Sequence, residues 1–286
     1  MNNAELIRSI DTAAREGRCL VMGILNVTPD SFSDGGRYTD LDAALDQARR
    51  MVADGALIID VGGESTRPGA DPVSTEVELA RVIPVIEALT ATLDCAVSID
   101  TMKPEVMRAA VHAGAAMIND VNALRAPGAA EVAADLDAAI CLMHMQGEPR
   151  TMQKAPVYDD VVEDVYRFFA DRIQSLTRSG IDPARLVLDP GFGFGKTLAH
   201  NLQLLAGFRR FQTLGRPLLA GLSRKSMLGQ ITGRDEPGQR VSASVAAALL
   251  AAERGATILR VHDVAETVDA LKVLEALYRQ GPHQKA

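Results

Sequence analysis

Polar and charged residues follow a series of short apolar runs, and their types define a chemistry. The runs end in Asn26, in Asp60 followed by Glu64-Ser65-Thr66-Arg67, in Asp100, in Asn119-Asp120, in His144 and in Asp189. A seventh run leads to Ser223-Arg224-Lys225, and an eighth carries Arg260 and His262. Any one of these alone reads as a helix cap or a strand-end turn. Eight together, with two basic clusters among them, read as one site. Asp100, Asn119 and Asp189 offer acceptors, and Asn119 also offers an amide donor. A carboxylate pairs with a ring N–H and its adjacent amino group, the guanidine-like edge of a pterin or guanine, and Lys225 can donate to the carbonyl of the same ring. Arg67, Arg260 and His262 together suit a diphosphate, Arg through its bidentate fork. Asn26 supplies a hard oxygen for Mg²⁺, an ion held by few protein groups plus phosphate oxygens and water. The set describes a flat amino-heterocycle site beside an anion site.

The elements that must position these residues alternate along the chain. Strand candidates are Leu20–Leu25, Leu57–Val61, Ala96–Ile99, Met117–Asn119, Ala139–His144, Leu186–Leu188, Pro217–Gly221 and Thr257–Val261. They are mostly continuous in Val, Ile, Leu and Ala, as parallel strands covered on both faces should be. Amphipathic stretches lie between them: Leu41–Ala53, Thr75–Thr92, Pro104–Ala113, Asp159–Ser179, Asn201–Gln212, Gln239–Arg254 and Ala265–Tyr278. Gly55, Gly114, Gly180 and Gly255 stand where helices stop before the next strand. Strict alternation of strands and helices predicts an α/β fold, a single (β/α)8 TIM barrel, with an open eight-stranded sheet as the alternative. A closed barrel gathers every strand's C-terminal end at one mouth, where such folds place their sites.

The chain has 286 residues, and no Pro/Gly/Ser-rich or charged linker divides it, so one domain spanning 1–286 with short flexible ends is expected. Its formal charge of −7 argues against a nucleic-acid or anionic-membrane partner. An anionic substrate must therefore be held by local cations, backbone N–H groups or a metal. Cys19, Cys95 and Cys141 lie far apart in apolar runs and read as small buried hydrophobes of a reduced, cytoplasmic protein. The first residues lack the basic-then-apolar pattern of a signal peptide, and no apolar run reaches the roughly 18 residues that span a bilayer.

Several familiar motifs fail. Gly191-Phe192-Gly193-Phe194-Gly195-Lys196-Thr197 looks like a phosphate loop, but Pro190 occupies the position where that loop needs its first glycine. The dinucleotide fingerprint fails because Lys196 stands where its third glycine belongs. These glycines are expected instead to let the backbone pass close under a flat ligand. No His-x-His pair follows an early strand, as a metal-dependent hydrolase barrel would show, and no Ser-His-Asp set has sequence support. His144 reads as packing, and Met143 and Met145 as core, although Met143 points at the rim.

Longer motifs carry a resemblance. Met22-Gly23-Ile24-Leu25-Asn26-Val27-Thr28-Pro29-Asp30-Ser31-Phe32-Ser33-Asp34-Gly35-Gly36 resembles the first signature of dihydropteroate synthases, and Glu64-Ser65-Thr66-Arg67-Pro68-Gly69 the second. Asp189–Lys196, Ser223-Arg224-Lys225-Ser226 and Arg260-Val261-His262-Asp263 are similar to the later ones, in order and suitably spaced from Val21 to the last helix. The resemblance implies that Asp100, Asn119, Asp189 and Lys225 line a pterin pocket walled by Met143, Gly193, Phe194 and Gly221. It implies that Asn26, Arg67, Arg260 and His262 hold the diphosphate, with Mg²⁺ at Asn26, and that Phe32, Thr66, Pro68 and Ser223 bound a p-aminobenzoate site. The loops 27–38 and 63–73 would close over both substrates, and the family is homodimeric.

The implied reaction is loss of diphosphate from a pterin methylene, followed by capture of the cation by an aniline nitrogen. No covalent nucleophile is required. Mg²⁺ and arginine would neutralise the departing diphosphate, and Asp34 would steady the cation, with Asp100 and Lys225 as its catalytic partners around the ring. Two rivals share the pocket: a pterin-dependent methyltransferase domain, which has no need of Ser65-Thr66-Arg67-Pro68 or Arg260/His262, and a non-catalytic pterin-binding paralogue.

Overall fold

Eight parallel strands close on themselves. In the computed structural model, which describes residues 1–28, 37–65, 71–147, 152 and 155–280, the strands are β1 (Leu20–Asn26), β2 (Ile58–Gly62), β3 (Ala96–Asp100), β4 (Met117–Asp120), β5 (Ala139–Met143), β6 (Leu186–Asp189), β7 (Leu219–Ala220) and β8 (Ile258–Val261). They run in the spatial order β6-β5-β4-β3-β2-β1-β8-β7. Closure between the first and last of these comes from one parallel bridge, Leu188 to Leu218, where the Leu188 N–H donates to the Pro217 carbonyl at 3.0 Å. The open-sheet alternative is thereby excluded. β7 is shorter than the expected Pro217–Gly221, because Pro217 has no N–H to give a ladder while its carbonyl still serves the closing bond.

The helices are α1 (Asn3–Glu16), α2 (Arg37–Ala53), α3 (Thr75–Thr92), α4 (Pro104–His112), α5 (Ala129–Asp135), α6 (Val161–Arg178), α7 (Leu198–Ala206), α8 (Ser226–Thr232), α9 (Val241–Glu253) and α10 (Val264–Gln280). Their starts follow local chemistry. Asp160 Oδ1 accepts from the N–H groups of Val162 and Glu163 at 2.9 and 3.1 Å, and Pro104 opens α4 with its fixed φ. The expected helix Asn201–Gln212 divides at Gly207 into α7 and a 3₁₀ segment, Phe208–Leu214. A Cβ at Gly207 would stand 2.9 Å from the Val162 side chain, so close packing on α6 fixes the break there.

Two apolar layers result. One lies between strands and outer helices; the other fills the barrel's N-terminal half with Met22, Ile58, Met117, Cys141, Leu219 and Ile258. α1 seals that end, inserting Leu6 and Ile10 into the inner layer. This helix lies outside the sequence expectation. Its signals are present all the same: Asn2 and Glu5 form a reciprocal capping box, and Gly17 at φ +66° ends the helix. With one end plugged, the C-terminal ends of the strands form the mouth. No helix among the described residues is long and apolar enough to cross a membrane.

Candidate active site

Strand register brings the polar residues to one level. Asn26, Gly62, Asp100 and Asn119 are consecutive partners across β1, β2, β3 and β4, and Met143 pairs with Asp189 across β5 and β6. Arg260 crosses the interior from β8: its Nη2 donates to Asp100 Oδ2 at 2.8 Å and its Nε to Asp60 Oδ2 at 2.6 Å. Asn119 Nδ2 donates to the same Asp60 oxygen at 2.9 Å. Asp60 was legible as a strand-end carboxylate, yet its role was not: it is fully buried and sits one inward layer below the mouth.

Opposite this network stand Asp189 and Lys225. Asp189 Oδ1 accepts from the Gly191 N–H at 2.8 Å, and its Oδ2 lies 3.9 Å from where a Cβ on Gly221 would be. Gly221 therefore leaves open space beside that carboxylate. Lys225 passes over Gly193, where a Cβ would stand 3.2 Å from its Cδ, and its Nζ lies 4.1 Å from the Phe194 ring centroid. Met143 packs with Val121, Met145 and Met152 in a small apolar cluster against which Phe194 lies.

Burial dominates the electrostatics here. It pushes the Asp100 carboxyl up to about 7 against the pull of Arg260, with Asp60 adding repulsion. It raises Asp189 as well, opposed by the Gly191 N–H and by Lys225. Burial lowers Lys225 to about 8 against the attraction of Asp189. Asp60 and Asp100 together hold the Arg260 guanidinium firmly protonated, although burial alone works the other way. Asp100 Oδ1 is buried with no hydrogen-bond partner among the described residues, an acceptor without a donor. A planar ligand with an N–H edge supplies what that oxygen lacks.

The glycine-rich loop after β6 has a different rationale from the one expected. Gly191 and Gly195 are needed for close approach to the backbone beyond β5: a Cβ would fall 1.9 Å from the His144 carbonyl and 2.6 Å from that of Gln146. Of the three glycines, Gly193 is the one that lies under Lys225. Lys196 is no phosphate ligand. Its buried Nζ lies 2.9 Å from His144 Nδ1 and donates to the carbonyls of Gly191, Phe194 and His144 at 2.9, 3.0 and 3.2 Å. His144 is thus packing and scaffold, held neutral by burial and by Lys196, with its pKa pushed down to about 2. Its ring also meets Phe168 edge-on, with centroids 4.9 Å apart.

Ser223 and His262 form one unit: the Ser223 hydroxyl lies 3.0 Å from His262 Nδ1 and accepts from the His262 N–H at 3.1 Å. Arg224, at φ +58°, is held by Asp263 through two hydrogen bonds and by Ser244, whose hydroxyl accepts from its N–H at 2.9 Å. This turn sets Ser223 and Lys225 on either side of it. At the base of the loop after β2, Lys103 Nζ bridges Glu64 and Glu78, and Glu64 accepts from the Val73 N–H at 3.0 Å. Phe32, Asp34, Thr66, Arg67 and Pro68 lie outside the described residues.

For Mg²⁺, Asn26 Oδ1 lies 3.5 Å and Asp100 Oδ2 3.9 Å from the point where a Cβ on Gly62 would be. Two hard oxygens thus face one bare stretch of backbone. No group of three or more His, Cys, Asp or Glu suited to a metal occurs among the described residues. That donor set fits an ion carried in with a diphosphate and its waters, and not a cage built by protein alone.

Comparison with known proteins agrees with this geometry. The family model for pterin binding enzymes matches residues 22–262. The dihydropteroate synthase of Escherichia coli K12 is 55% identical over 256 residues, 90% of each chain, and that of Haemophilus influenzae is 52% identical over 257, covering 90% of this chain and 93% of that protein. Among solved structures, Xanthomonas albilineans dihydropteroate synthase with 4-aminobenzoic acid superposes with a TM-score of 0.88 at 58% identity, covering 93% of this chain and 94% of the other. The same enzyme in complex with 7,8-dihydropteroate gives 0.85 at 56% identity, covering 93% and 95%. Matched across most of its length by the family model and more than half identical to such relatives, the chain belongs to the dihydropteroate synthase family of pterin-binding enzymes.

Proposed function

We propose that this chain condenses 6-hydroxymethyl-7,8-dihydropterin diphosphate with p-aminobenzoate, yielding 7,8-dihydropteroate and diphosphate, a transferase step of folate biosynthesis. One observation carries the reading: the buried carboxylate Asp100, paired with Arg260, and the buried carboxylate Asp189, near Lys225, stand on opposite sides of a single barrel mouth. Two acid–base pairs at that depth suit a neutral ring with a donor edge, a carbonyl edge and an anionic tail.

Asp100, Asn119 and Asp189 accept from the pterin's amino and ring N–H groups, and Lys225 donates to its carbonyl. Met143, Gly193, Phe194 and Gly221 form the walls. Arg260 and His262, with Arg67, bind the diphosphate. Asn26 would hold Mg²⁺, which when bound adds positive charge beside the leaving group. The C–O bond to the methylene breaks and its electron pair departs with the diphosphate. The ring delocalises the positive charge, steadied by Asp34. The aniline nitrogen then forms the C–N bond and releases its proton to water. Phe32, Thr66, Pro68 and Ser223 bound the place from which the aniline approaches.

A methyltransferase role fits less well, since it leaves Arg260 and the Ser223–His262 unit without an anion to serve. The acidic charge and three unpaired cysteines support a cytoplasmic setting, and the resemblance supports a homodimer. A sulfonamide shares the aminobenzene of p-aminobenzoate and gives a direct test. It should raise the apparent KM for p-aminobenzoate without changing that for the pterin substrate, and itself become joined to pterin with diphosphate release. Inhibition competitive with the pterin substrate alone would refute the arrangement.

A further inference from the structure

Asp60 takes no part in the chemistry just described, yet two of its residues are anchored to it. Its carboxylate is fully buried in the middle of β2, level with Ile24 and Ser98, two residues below the Asn26–Gly62–Asp100–Asn119 level that forms the mouth. A single oxygen, Oδ2, accepts from Asn119 Nδ2 at 2.9 Å and from Arg260 Nε at 2.6 Å. The Arg260 Nη2 continues the chain to Asp100 Oδ2 at 2.8 Å. Four side chains from four strands are thus linked in series, and Asp60 is the one that touches both an amide and the guanidinium.

Two consequences follow from donor and acceptor chemistry. A carboxylate accepts and does not donate, so the amide of Asn119 can meet Asp60 only through its nitrogen, and its Oδ1 is turned away as an acceptor. Asn119 alone has no orientation preference of this kind. Arg260, tied through Nε below and Nη2 to the side, has its guanidinium plane fixed, with Nη1 hydrogen-bonded to no described residue. The pattern shown to a ring and the edge shown to an anion are both set from beneath.

We propose that Asp60 is a positioning and specificity-determining residue: through one oxygen it fixes the amide orientation of Asn119 and the plane of Arg260, so that the pocket selects an amino-bearing ring joined to an anion. The role of the ring rests on the function proposed above; the orientation of Asn119 does not.

The test uses the full chain. In the unliganded ¹⁵N,¹³C-labelled wild-type protein, the Asn119 side-chain amide, assigned by triple-resonance connection to its own backbone, should have one proton shifted downfield and exchanging at least about tenfold more slowly than exposed amides. A signal exchanging like solvent-exposed amides overturns the proposal, whether or not any variant folds. Binding then reads the consequence, with the hydroxymethyl-dihydropterin lacking diphosphate as probe. Asn119→Ala should weaken binding about tenfold in the wild-type background and less than about twofold in Asp60→Asn, because an amide free to turn no longer contributes. Asp60→Asn should also reduce discrimination between that pterin and its 2-methyl counterpart by about fivefold or more. Equal losses in both backgrounds, with discrimination unchanged, would mean that Asp60 only supports the fold. A wild-type protein that binds no pterin but shows the protected amide would contradict the functional reading and leave the positioning role standing.

Discussion

Lys225 stands over the face of Phe194, its ammonium nitrogen 4.1 Å from the ring centroid, while its stem crosses Gly193. The aromatic face attracts the ammonium electrostatically and holds it at the mouth, and Gly193 provides the clearance. Lys225→Met should lower pterin affinity about 100-fold, the scale of a buried charged hydrogen bond. Phe194→Leu removes the ring and keeps the wall, so a smaller loss of about threefold to tenfold is expected. Titration of pterin fluorescence separates the two; equal losses would mean that Phe194 contacts the ligand more strongly than it holds Lys225.

Proton linkage follows from the two shifted groups. At pH 6, Asp100, raised to about 7, is mostly protonated in the free protein, and ring N–H donors favour its carboxylate, so binding releases a proton. At pH 8.5, Asp100 is already ionised. Lys225, lowered to about 8, is then mostly neutral, and a ring carbonyl favours its ammonium, so binding takes a proton up. Calorimetry in two buffers of different ionisation enthalpy, with a pterin lacking diphosphate, should show this reversal of sign between pH 6 and 8.5. The same direction of proton transfer at both ends would contradict the charge states assigned here.

Lys196 and Gly191 hold the loop after β6 from its two sides. Gly191→Ala places a Cβ 1.9 Å from the His144 carbonyl at φ +72° and should cost at least about 3 kcal/mol in denaturant unfolding. Lys196→Met leaves buried carbonyls and His144 Nδ1 without their donor, a loss of about 2–4 kcal/mol. Its effect on inorganic diphosphate binding should be less than about twofold. A large loss there would restore the phosphate-loop reading of this segment.

The Asp263 carboxylate braces Arg224, the residue between Ser223 and Lys225. Asp263→Ala removes both hydrogen bonds that hold Arg224 in its left-handed conformation, which costs a non-glycine residue about 1 kcal/mol. We expect kcat/KM to fall about tenfold with a loss of only a few degrees in Tm. Steady-state kinetics beside a melting curve check it; an unchanged kcat/KM would show that Ser223 and Lys225 hold their places without this brace.

Much of this was legible in the residues. Continuous apolar strands such as Ala139 to Met143 and helix stops such as Gly55 gave the barrel's order, and the strand-end polar residues gave Asp100, Asn119, Asp189, Lys225 and Arg260. Three things were not. Closure rests on one bridge between Leu188 and Leu218, and a linear pattern carries no record of which strands meet last. The α1 plug has ordinary caps, but it buries only Leu6, Ile10 and Ala13, with Ile7 partly covered, too sparse a set to stand out beside longer stretches. Asp60 looks like any strand-end acid, since its meaning depends on Asn119 and Arg260, 59 and 200 positions away. Likewise, the sequence excludes a phosphate-loop role for Lys196 but does not show what it does, which depends on the backbone carbonyls around it.

The most direct measurement is stoichiometry. Purified protein with dihydropterin diphosphate, p-aminobenzoate and Mg²⁺ should yield dihydropteroate and free diphosphate in equal amounts, with no dihydropteroate formed when p-aminobenzoate is omitted and neither product formed when a chelator is added. Tight pterin binding with no dihydropteroate would contradict the account and identify the chain as a binding protein on the same barrel.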